Sequence, residues 1–167
     1  MSNKYYYLIS SLPYLEFDKP PTINREWLLD EAKKWLTDKD LNIFKSVDVD
    51  NLSMLSSDTD IIKEQKAFEL ALRKDLKEAR IIKRDSLDEK PPSQVRDIFL
   101  KANPLEMEKA LLKKRWDFIE EIDLDYHFDL NALILYCMKL MILERLFSFH
   151  KKDGLHVFEN SCEVSYV

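Results

Sequence analysis

Glycine is nearly absent from the 167-residue sequence, which contains a single one, Gly154. At average usage a chain of this length would contain about a dozen. Glycine supplies the positive φ angles and the close backbone approach on which many phosphate and metal loops depend. The sequence therefore excludes a Walker phosphate loop, a dinucleotide-binding fingerprint, an EF-hand loop and a nucleophile elbow. It also disfavours a β architecture joined by tight hairpins.

Cysteine and histidine are scarce as well. The two cysteines, Cys137 and Cys162, are not part of a C-x-x-C pair, so we expect neither a disulfide framework nor a cysteine-based zinc site. The three histidines form no H-E-x-x-H, and none follows a glutamate by three positions, which excludes zincin and helical di-iron patterns. The first residues lead directly into three tyrosines rather than into a basic and then a long apolar region. We therefore expect no signal peptide and a cytoplasmic protein.

The remaining composition is typical of a globular protein. Hydrophobic residues make up 46% of the chain and charged residues 34%, which is enough apolar material for a core. The net charge of −5 disfavours a general nucleic-acid binder. The length suits one domain, and the pattern predicts a single helical domain over residues 1–154, followed by an extended or mobile tail over 155–167.

Helical periodicity predicts an all-α, elongated bundle of six or seven helices. Residues 4–12 are compatible with a helix or a buried strand, and we favour the helix. The clearest start signals are Thr22 or Asn24, Asn103 followed by Pro104, and Asp129, which are residue types suited to capping. Residues 48–57 are predicted to be a polar connection, and the prolines of 86–92 interrupt helix. The predicted helices cover 4–12, about 24–36, 41–47, 58–84, 93–100, 103–122 and 129–152.

The longest predicted helix, 58–84, has a narrow apolar stripe and a Glu69–Arg73 pair at i,i+4 spacing. At 1.5 Å per residue it would be about 40 Å long, more than the roughly 30 Å expected across a compact domain of this size, so we expect it to protrude, to kink or to lie along an elongated body. The spacing of apolar residues also predicts inward faces on two other helices. The three inward sets are Trp27, Leu28, Ala32 and Trp35; Ile61, Phe68, Leu72, Leu76, Ala79 and Ile82; and Leu105, Leu112, Trp116, Ile119 and Ile122.

The last predicted helix is apolar around most of its circumference. Lys139 lies near its middle and Glu144 and Arg145 follow, so its uncharged run is shorter than the roughly 20 residues that a membrane span needs. We expect a central helix surrounded by its neighbours, with no direct membrane insertion. Its end is predicted near residues 151–152, with Gly154 in the left-handed position just after the helix.

His127 is the strongest candidate for chemistry, because Asp123 and Asp125 lie close to it in the sequence. The loop glycine and the bidentate glutamate of a calcium site are missing, so the favoured interpretation is an acidic turn in which Asp129 caps the next helix. An enzyme centred on His127 with Asp123 or Asp125 stays open as an alternative. Cys137 lies in the most apolar helix and is expected to be a small buried hydrophobe.

Two other groups of residues suggest surfaces. Basic residues are concentrated on the second half of the longest helix and again at 113–115, and we expect solvated faces, with an acidic protein partner as the alternative. Five aromatic residues in the first seventeen are expected to thread beside the central helix, or in part to form a partner surface. The basic residues of the longest helix are Arg73, Lys74, Lys77, Arg80, Lys83 and Arg84, and those of the second group are Lys113, Lys114 and Arg115. The aromatic residues are Tyr5, Tyr6, Tyr7, Tyr14 and Phe17.

Three segments resemble a known family: residues 5–13 (YYYLISSLP), 103–108 (NPLEME) followed by Trp116, and 136–145 (YCMKLMILER). They look like parts of a small bacterial family encoded among V-type ATP synthase genes. That family is distantly similar to the larger C subunit of the V/A-type ATPases (the d subunit of the eukaryotic enzymes), an all-helical cap between the central stalk and the rotor ring. The resemblance spans most of the chain, which is about half as long as that cap protein, and implies no catalytic residues.

The sequence thus predicts a non-catalytic accessory or stalk-associated subunit of a V-type ATP synthase that acts as a rigid helical spacer and docking protein. We expect no cofactor and no catalytic or metal-binding residues. The expected partners are ATPase subunits, which would place the protein in the cytoplasm or at the periphery of the inner membrane. A self-associating helical adaptor, unrelated to the ATPase and able to form a homodimer, is the alternative.

Overall fold

The chain folds as an all-α bundle, which confirms the predicted fold class. The computed structural model describes residues 4–48, 59–85, 89–99, 101, 103–149 and 154–157, and no strand occurs in these ranges. Seven helices have their bounds in them, and positions 154–157 are helical as well. The seven are α1 (Lys4–Ser11), α2 (Arg25–Ala32), α3 (Asp38–Ser46), α4 (Asp60–Arg84), α5 (Ser93–Phe99), α6 (Pro104–Asp123) and α7 (Leu130–Phe147).

Side-chain caps begin several of the helices where the sequence predicts them. The Asn24 Oδ1 atom accepts a hydrogen bond from the Trp27 N–H at 2.8 Å, and Asn103 and Asp129 cap α6 and α7 in the same way. Thr37 caps α3, a start that the sequence pattern did not single out. Capping oxygens satisfy N–H groups that have no partner inside the helix, which is why these residue types fix the starts.

Two of the predicted inward faces are only partly correct. Trp27 is 43% exposed, although Leu28 and Ala32 beside it are buried, because α2 has only two turns and packs along one narrow stripe. The regular α-helix also ends at Ala32, earlier than predicted, and hydrogen-bonded turns follow up to Leu36. On α6, Leu105 lies in the first turn and is 38% exposed. Leu112, two turns later, is buried as expected.

Helix α7 is the central helix of the bundle, as predicted. It packs against α1, α2, α3 and α6, and most of the residues from Ala132 to Leu143 are buried. The main core forms around it, with Leu8 of α1, Leu28 of α2, Phe44 of α3 and Trp116 of α6. None of the helices in the described ranges is both long enough and apolar enough to cross a membrane.

The end of α7 differs from the prediction. The helix stops at Phe147, where the Ser148 hydroxyl and the Ser148 N–H both donate to the Arg145 carbonyl at 2.7 and 3.2 Å. A serine side chain that competes for a backbone acceptor tightens and closes a helix in this way. Gly154 has no positive φ and is itself helical, so it is not the C-terminal cap of α7. Positions 155–157 are accordingly helical rather than extended, and the rest of the predicted tail, 158–167, lies outside the described residues. Of the polar connection predicted at 48–57, residues 49–57 also lie outside them.

Replacing Gly154 with alanine is therefore expected to leave the free energy of unfolding unchanged or to raise it by up to about 1 kcal/mol. A Cβ atom at this position meets nothing within 4 Å, and alanine lowers the entropy of the unfolded chain. Chemical denaturation of the wild type and of Gly154→Ala measures the difference. A loss of about 1 kcal/mol or more would show that this residue adopts the left-handed conformation after all.

Helix α4 extends beyond the main core, which makes the bundle elongated. Its first turn contributes Ile61 and Ile62 to the main core, whereas its second half packs on α5 in a separate cluster. That cluster contains Leu72, Leu76 and Ala79 of α4 and Val95 of α5. The apolar stripe predicted on this helix is thus confirmed. With 25 residues, α4 has a length of about 37 Å.

Two contacts fasten the middle of α4 to α6. The Arg115 guanidinium donates to both carboxylate oxygens of Glu69, at 2.5 and 3.3 Å, and Glu69 is only 3% exposed. Next to this pair, the rings of Phe68 and Phe118 are stacked with centroids 4.1 Å apart. The predicted Glu69–Arg73 pair also forms, at 3.9 Å, but Arg115 is the principal partner. Arg115 therefore does not belong to a solvated basic face, because its side chain is mostly buried.

Candidate docking surfaces

A groove lies where the turn between α6 and α7 meets the end of α1, and it has a volume of about 840 Å³. Helix α1 and the loop that follows it form one wall, and α6 and α7 form the other. We call it the α6–α7 groove. Its apolar surface comes mainly from Ile9, Leu12, Leu15, Leu124, Phe128 and Ala132.

One polar contact joins the two walls of the groove, and a second joins α6 to α7 within one wall. The Tyr136 hydroxyl of α7 donates to the Pro13 carbonyl at 2.7 Å, and burial raises the pKa of this tyrosine above its ordinary value. The Lys139 ammonium donates to Asp123 at 2.8 Å and lies 5.5 Å from the centre of the Trp116 ring. The shape of the groove is thus fixed by hydrogen bonds as well as by apolar packing.

The edge of the groove along α6 is acidic. Asp117, Glu120 and Glu121 are all exposed and line the groove. Asp117 forms an ion pair with Lys113 at 2.6 Å, but Glu120 and Glu121 form no ion pair with any residue that the structure describes. Two adjacent carboxylates therefore leave a negative potential beside an apolar surface, a combination suited to a basic and partly apolar ligand.

The structure places Asp123 and His127, two of the three residues that the alternative enzymatic hypothesis combined, on the lining of the same groove. Asp123 is engaged by Lys139, whereas His127 is exposed at the groove and Asp125 is exposed outside its lining. Among the described residues, no cluster of three or more His, Cys, Asp or Glu side chains could hold a metal ion. The predicted role of Asp129 as a helix cap is confirmed, since its carboxylate accepts from the Ala132 N–H.

Four aromatic rings form a continuous row next to the groove. The centroid distances are 6.1 Å from Trp35 to Tyr7, 5.9 Å from Tyr7 to Tyr6 and 4.7 Å from Tyr6 to Phe128. Tyr6, Tyr7 and Phe128 are between 48 and 57% exposed. Phe128 also has a φ of 50°, a conformation that is strained for an aromatic residue. We call this row the aromatic ladder.

The N-terminal aromatic residues are divided between the bundle and the surface. Tyr5 threads into the bundle and donates its hydroxyl to Asp40 of α3 at 2.7 Å, and Phe17 packs edge-on against Trp116. Tyr6 and Tyr7 instead remain on the surface, and Tyr14 is 85% exposed. Part of the N-terminal segment stabilises the core, while another part is available to a partner.

The outer face of α4 is basic, as the sequence predicts, and it also carries two exposed apolar side chains. We call α4 from Leu70 to Arg84 the basic arm. At about 100° per residue, Leu70, Lys77, Arg80, Ile81 and Arg84 fall within one sector of about 100°, and the exposed carboxylates of the helix lie outside it. Leu70 is 62% exposed and Ile81 is 37% exposed. Lys77 and Arg80 form no ion pair within the described residues.

Cys137 is fully buried in α7, as predicted, and it is not a reactive thiol. Burial raises the pKa of the Cys137 thiol to about 11, and the nearby guanidinium of Arg25 opposes this shift only in part. The guanidinium of Arg25 donates to the Val47 carbonyl at 2.5 Å, and the Arg25 backbone N–H donates to the Glu144 carboxylate. Since the thiolate is the nucleophilic form, a protonated and enclosed thiol does not act as a nucleophile at neutral pH.

We expect thiol reagents to modify Cys137 at least about 100-fold more slowly in the folded protein than in denaturant, because modification requires the core to open. The measurement uses a Cys162→Ser variant and Ellman's reagent. The raised pKa also makes the free energy of unfolding depend on pH. Below pH 9 the thiol is neutral in both states and its contribution to that free energy is complete. Between about pH 9 and 11 the thiol ionises only in the unfolded chain, so the contribution is lost as the pH rises. Complete modification of the folded variant within seconds would contradict this account.

None of the family models, curated proteins or solved structures compared with the chain matches it. The candidate surfaces are therefore defined by their own geometry and charge. They comprise an acidic, apolar groove, an aromatic ladder that reaches it through Phe128, and a basic arm on a different helix.

Proposed function

We propose that the protein is a non-catalytic accessory subunit of a V-type ATP synthase, and that it docks to the complex through the aromatic ladder. The observation that carries the docking role is the exposure of Tyr6, Tyr7 and Phe128 as one continuous row. Tyrosine and other aromatic residues provide much of the energy of protein interfaces, because they bury a large area and lose few rotatable bonds. Rings left half in water contribute much less to the stability of the fold than buried rings do.

The geometry of α4 supports the second half of the proposal, a rigid spacer. Glu69 and Phe68 fasten the middle of this helix to α6, and Leu72, Leu76 and Ala79 pack it on α5. Close-packed helices resist deformation, because any displacement opens gaps in the contacts. Stiffness of this kind suits a protein that holds two parts of an assembly at a fixed separation.

The side chains that an enzyme would use are occupied with structural contacts, which supports a non-catalytic function. Asp123 neutralises Lys139 next to Trp116, and Cys137 is enclosed by the core. His127 is left on the surface without a metal-binding cluster around it in the described part of the chain. Such an arrangement gives a general acid or base no partner to orient it.

The V-type ATP synthase enters the proposal through the sequence resemblance. Two of the three segments that resemble the ATPase-associated family are prominent in the structure. Residues 5–13 contain Tyr6 and Tyr7 of the aromatic ladder, and residues 136–145 form more than half of the central helix. Docking to an ATPase would place the protein in the cytoplasm, peripheral to the inner membrane. We propose this location together with the partner.

Co-purification from native membranes tests the proposal. Tagged wild-type protein is expected to recover V-type ATP synthase subunits, and the Tyr6→Ala/Tyr7→Ala variant is expected to recover at least about tenfold less, as a loss of about 1.4 kcal/mol or more implies. Tyr14→Ala is the control, since Tyr14 is an exposed tyrosine that lines the neighbouring groove but lies outside the aromatic ladder. Recovery of other proteins without any ATPase component would reject the ATPase assignment. Equal recovery by all three proteins would reject the ladder as the docking surface.

A further inference from the structure

We propose that the protein self-associates by placing the basic arm of one copy in the α6–α7 groove of another. This contact between copies is tested separately from the ATPase proposal, although Phe128 belongs both to the aromatic ladder and to the groove. The arm offers Lys77 and Arg80 around Ile81, and the groove offers Glu120 and Glu121 beside an apolar surface. The ligand of the groove is thus a helical segment of the same chain.

The first argument is that each surface has charges that the rest of the described chain leaves unpaired. Some charges elsewhere on the surface are paired locally, such as Lys33 with Asp30 at 2.5 Å and Lys63 with Asp60 at 3.0 Å, and others are not, so the contact is inferred from the opposite signs of the arm and the groove. On α4 the nearest carboxylates, such as Glu78, are on another face of the helix, so Lys77 and Arg80 present their charge outward. Glu120 and Glu121 do the same at the groove.

The second argument is that the apolar parts match as well as the charges. Leu70 and Ile81 are the exposed large apolar side chains of α4, and both lie in the same sector as the basic residues. Apolar side chains spaced along one helix face are the usual anchors of a helix that binds in a groove. In the groove, Leu124 is 75% exposed and Phe128 is 48% exposed, which leaves apolar surface for such anchors to cover.

The third argument is that the arm and the groove lie on different elements that are both held firmly. The arm is braced by α5 and α6, whereas the groove is fixed by the Tyr136–Pro13 and Lys139–Asp123 contacts. A firm arm and a firm groove lose little conformational entropy on binding. Two copies can satisfy both surfaces in a closed two-fold dimer, in which each arm enters the groove of the other copy. In a head-to-tail arrangement the contact is heterologous, and further copies can add to the free ends.

Sedimentation velocity of the purified full chain tests the proposal when substitutions reverse the charge of the arm or of the groove. At about 100 μM, where a micromolar contact is nearly saturated, the wild type is expected to form dimers or larger species that dissociate in high salt. The arm variant Lys77→Glu/Arg80→Glu and the groove variant Glu120→Lys/Glu121→Lys are each expected to weaken association at least about tenfold. Mixing the two variants in equal amounts should restore it, because each mixed contact again joins opposite charges.

The control is Lys39→Glu/Lys45→Glu, which changes the net charge as much as the arm variant does but on exposed positions of α3. It is expected to associate like the wild type. All the substituted positions are exposed, so each variant should fold, and thermal melting checks that it does. A monomeric wild type, unchanged association of either charge variant, or a mixture that stays monomeric would overturn the proposal. Because the ladder residues are untouched, each of these results leaves the ATPase proposal to its own test.

Discussion

Replacing Trp116 with alanine is expected to lower the free energy of unfolding by about 3 to 5 kcal/mol, the largest effect predicted for any single substitution in this chain. Trp116 is 1% exposed and lies in the main core, with the Phe17 ring centroid 5.6 Å away and the Lys139 ammonium 5.5 Å from its own ring. Removal of the indole therefore opens a cavity and also removes a cation–π contact. Since a domain of this size is stable by only about 5 to 15 kcal/mol, the variant should be close to unfolding.

Trp27→Ala is the matched control for this prediction, and urea denaturation measures both variants. The sequence pattern places both tryptophans on inward faces, but Trp27 is 43% exposed in the structure. Its replacement is expected to cost less than about 1 kcal/mol, because much of its surface already contacts water. If the two variants lost similar amounts of stability, the position of Trp116 in the core or the exposure of Trp27 would be wrong.

Replacing Glu69 with alanine is expected to cost about 3 kcal/mol, because Arg115 would then be left mostly buried without its carboxylate partner. The side chain of Glu69 is 3% exposed and that of Arg115 is 18% exposed, so water replaces little of the lost interaction. The contact with Arg73 at 3.9 Å cannot compensate, since it disappears with the same carboxylate. Denaturation with urea, followed by the far-ultraviolet circular dichroism of the helices, measures the change.

The matched control is Glu108→Ala, which removes another glutamate–arginine pair from a more exposed site. Glu108 contacts Arg145 at 2.9 and 3.0 Å, but the two side chains are 28 and 44% exposed. Its loss should cost no more than about 1 kcal/mol. A double-mutant cycle with Arg115→Ala isolates the Glu69–Arg115 coupling. A coupling near zero would show that this pair does not fasten α4.

Most of the helices and several of their starts were predictable because they depend on neighbouring residues, although the start of α3 at Thr37 was missed. Asn103 and Asp129 act within three positions of themselves, and a cap of this kind needs no knowledge of the rest of the fold. The apolar character of α7 likewise identified the central helix, because a helix that is apolar all round must be covered. The burial of Trp27 and Leu105 was predicted incorrectly. Burial at these positions depends on how far the packing between helices extends along each helix, and neighbouring residues do not determine that.

The candidate surfaces were only partly predictable, since the groove and the aromatic ladder combine residues that are distant in the sequence. Glu69 and Arg115 are 46 positions apart, and the nearer Arg73 is the partner that helical spacing indicates. The groove combines Pro13 with Tyr136, 123 positions away, so no local pattern could have revealed it. The basic stripe of α4 was visible in the sequence. Its exposed Leu70 and Ile81 were not, because exposure depends on where α5 and α6 pack.

The central claim is that α4 is a rigid arm held at a fixed position relative to the α7 core, and electron–electron double resonance tests it most directly. Spin labels at Lys39→Cys and Lys83→Cys, in a Cys162→Ser background, report the distance from α3 to the arm. Labels at Lys63→Cys and Lys83→Cys provide a reference within α4 itself. We predict that, in samples diluted with unlabelled protein, the first distance distribution is single and about as narrow as the second. A broad or multiple distribution for the first pair, with a narrow one for the second, would contradict the rigid arm.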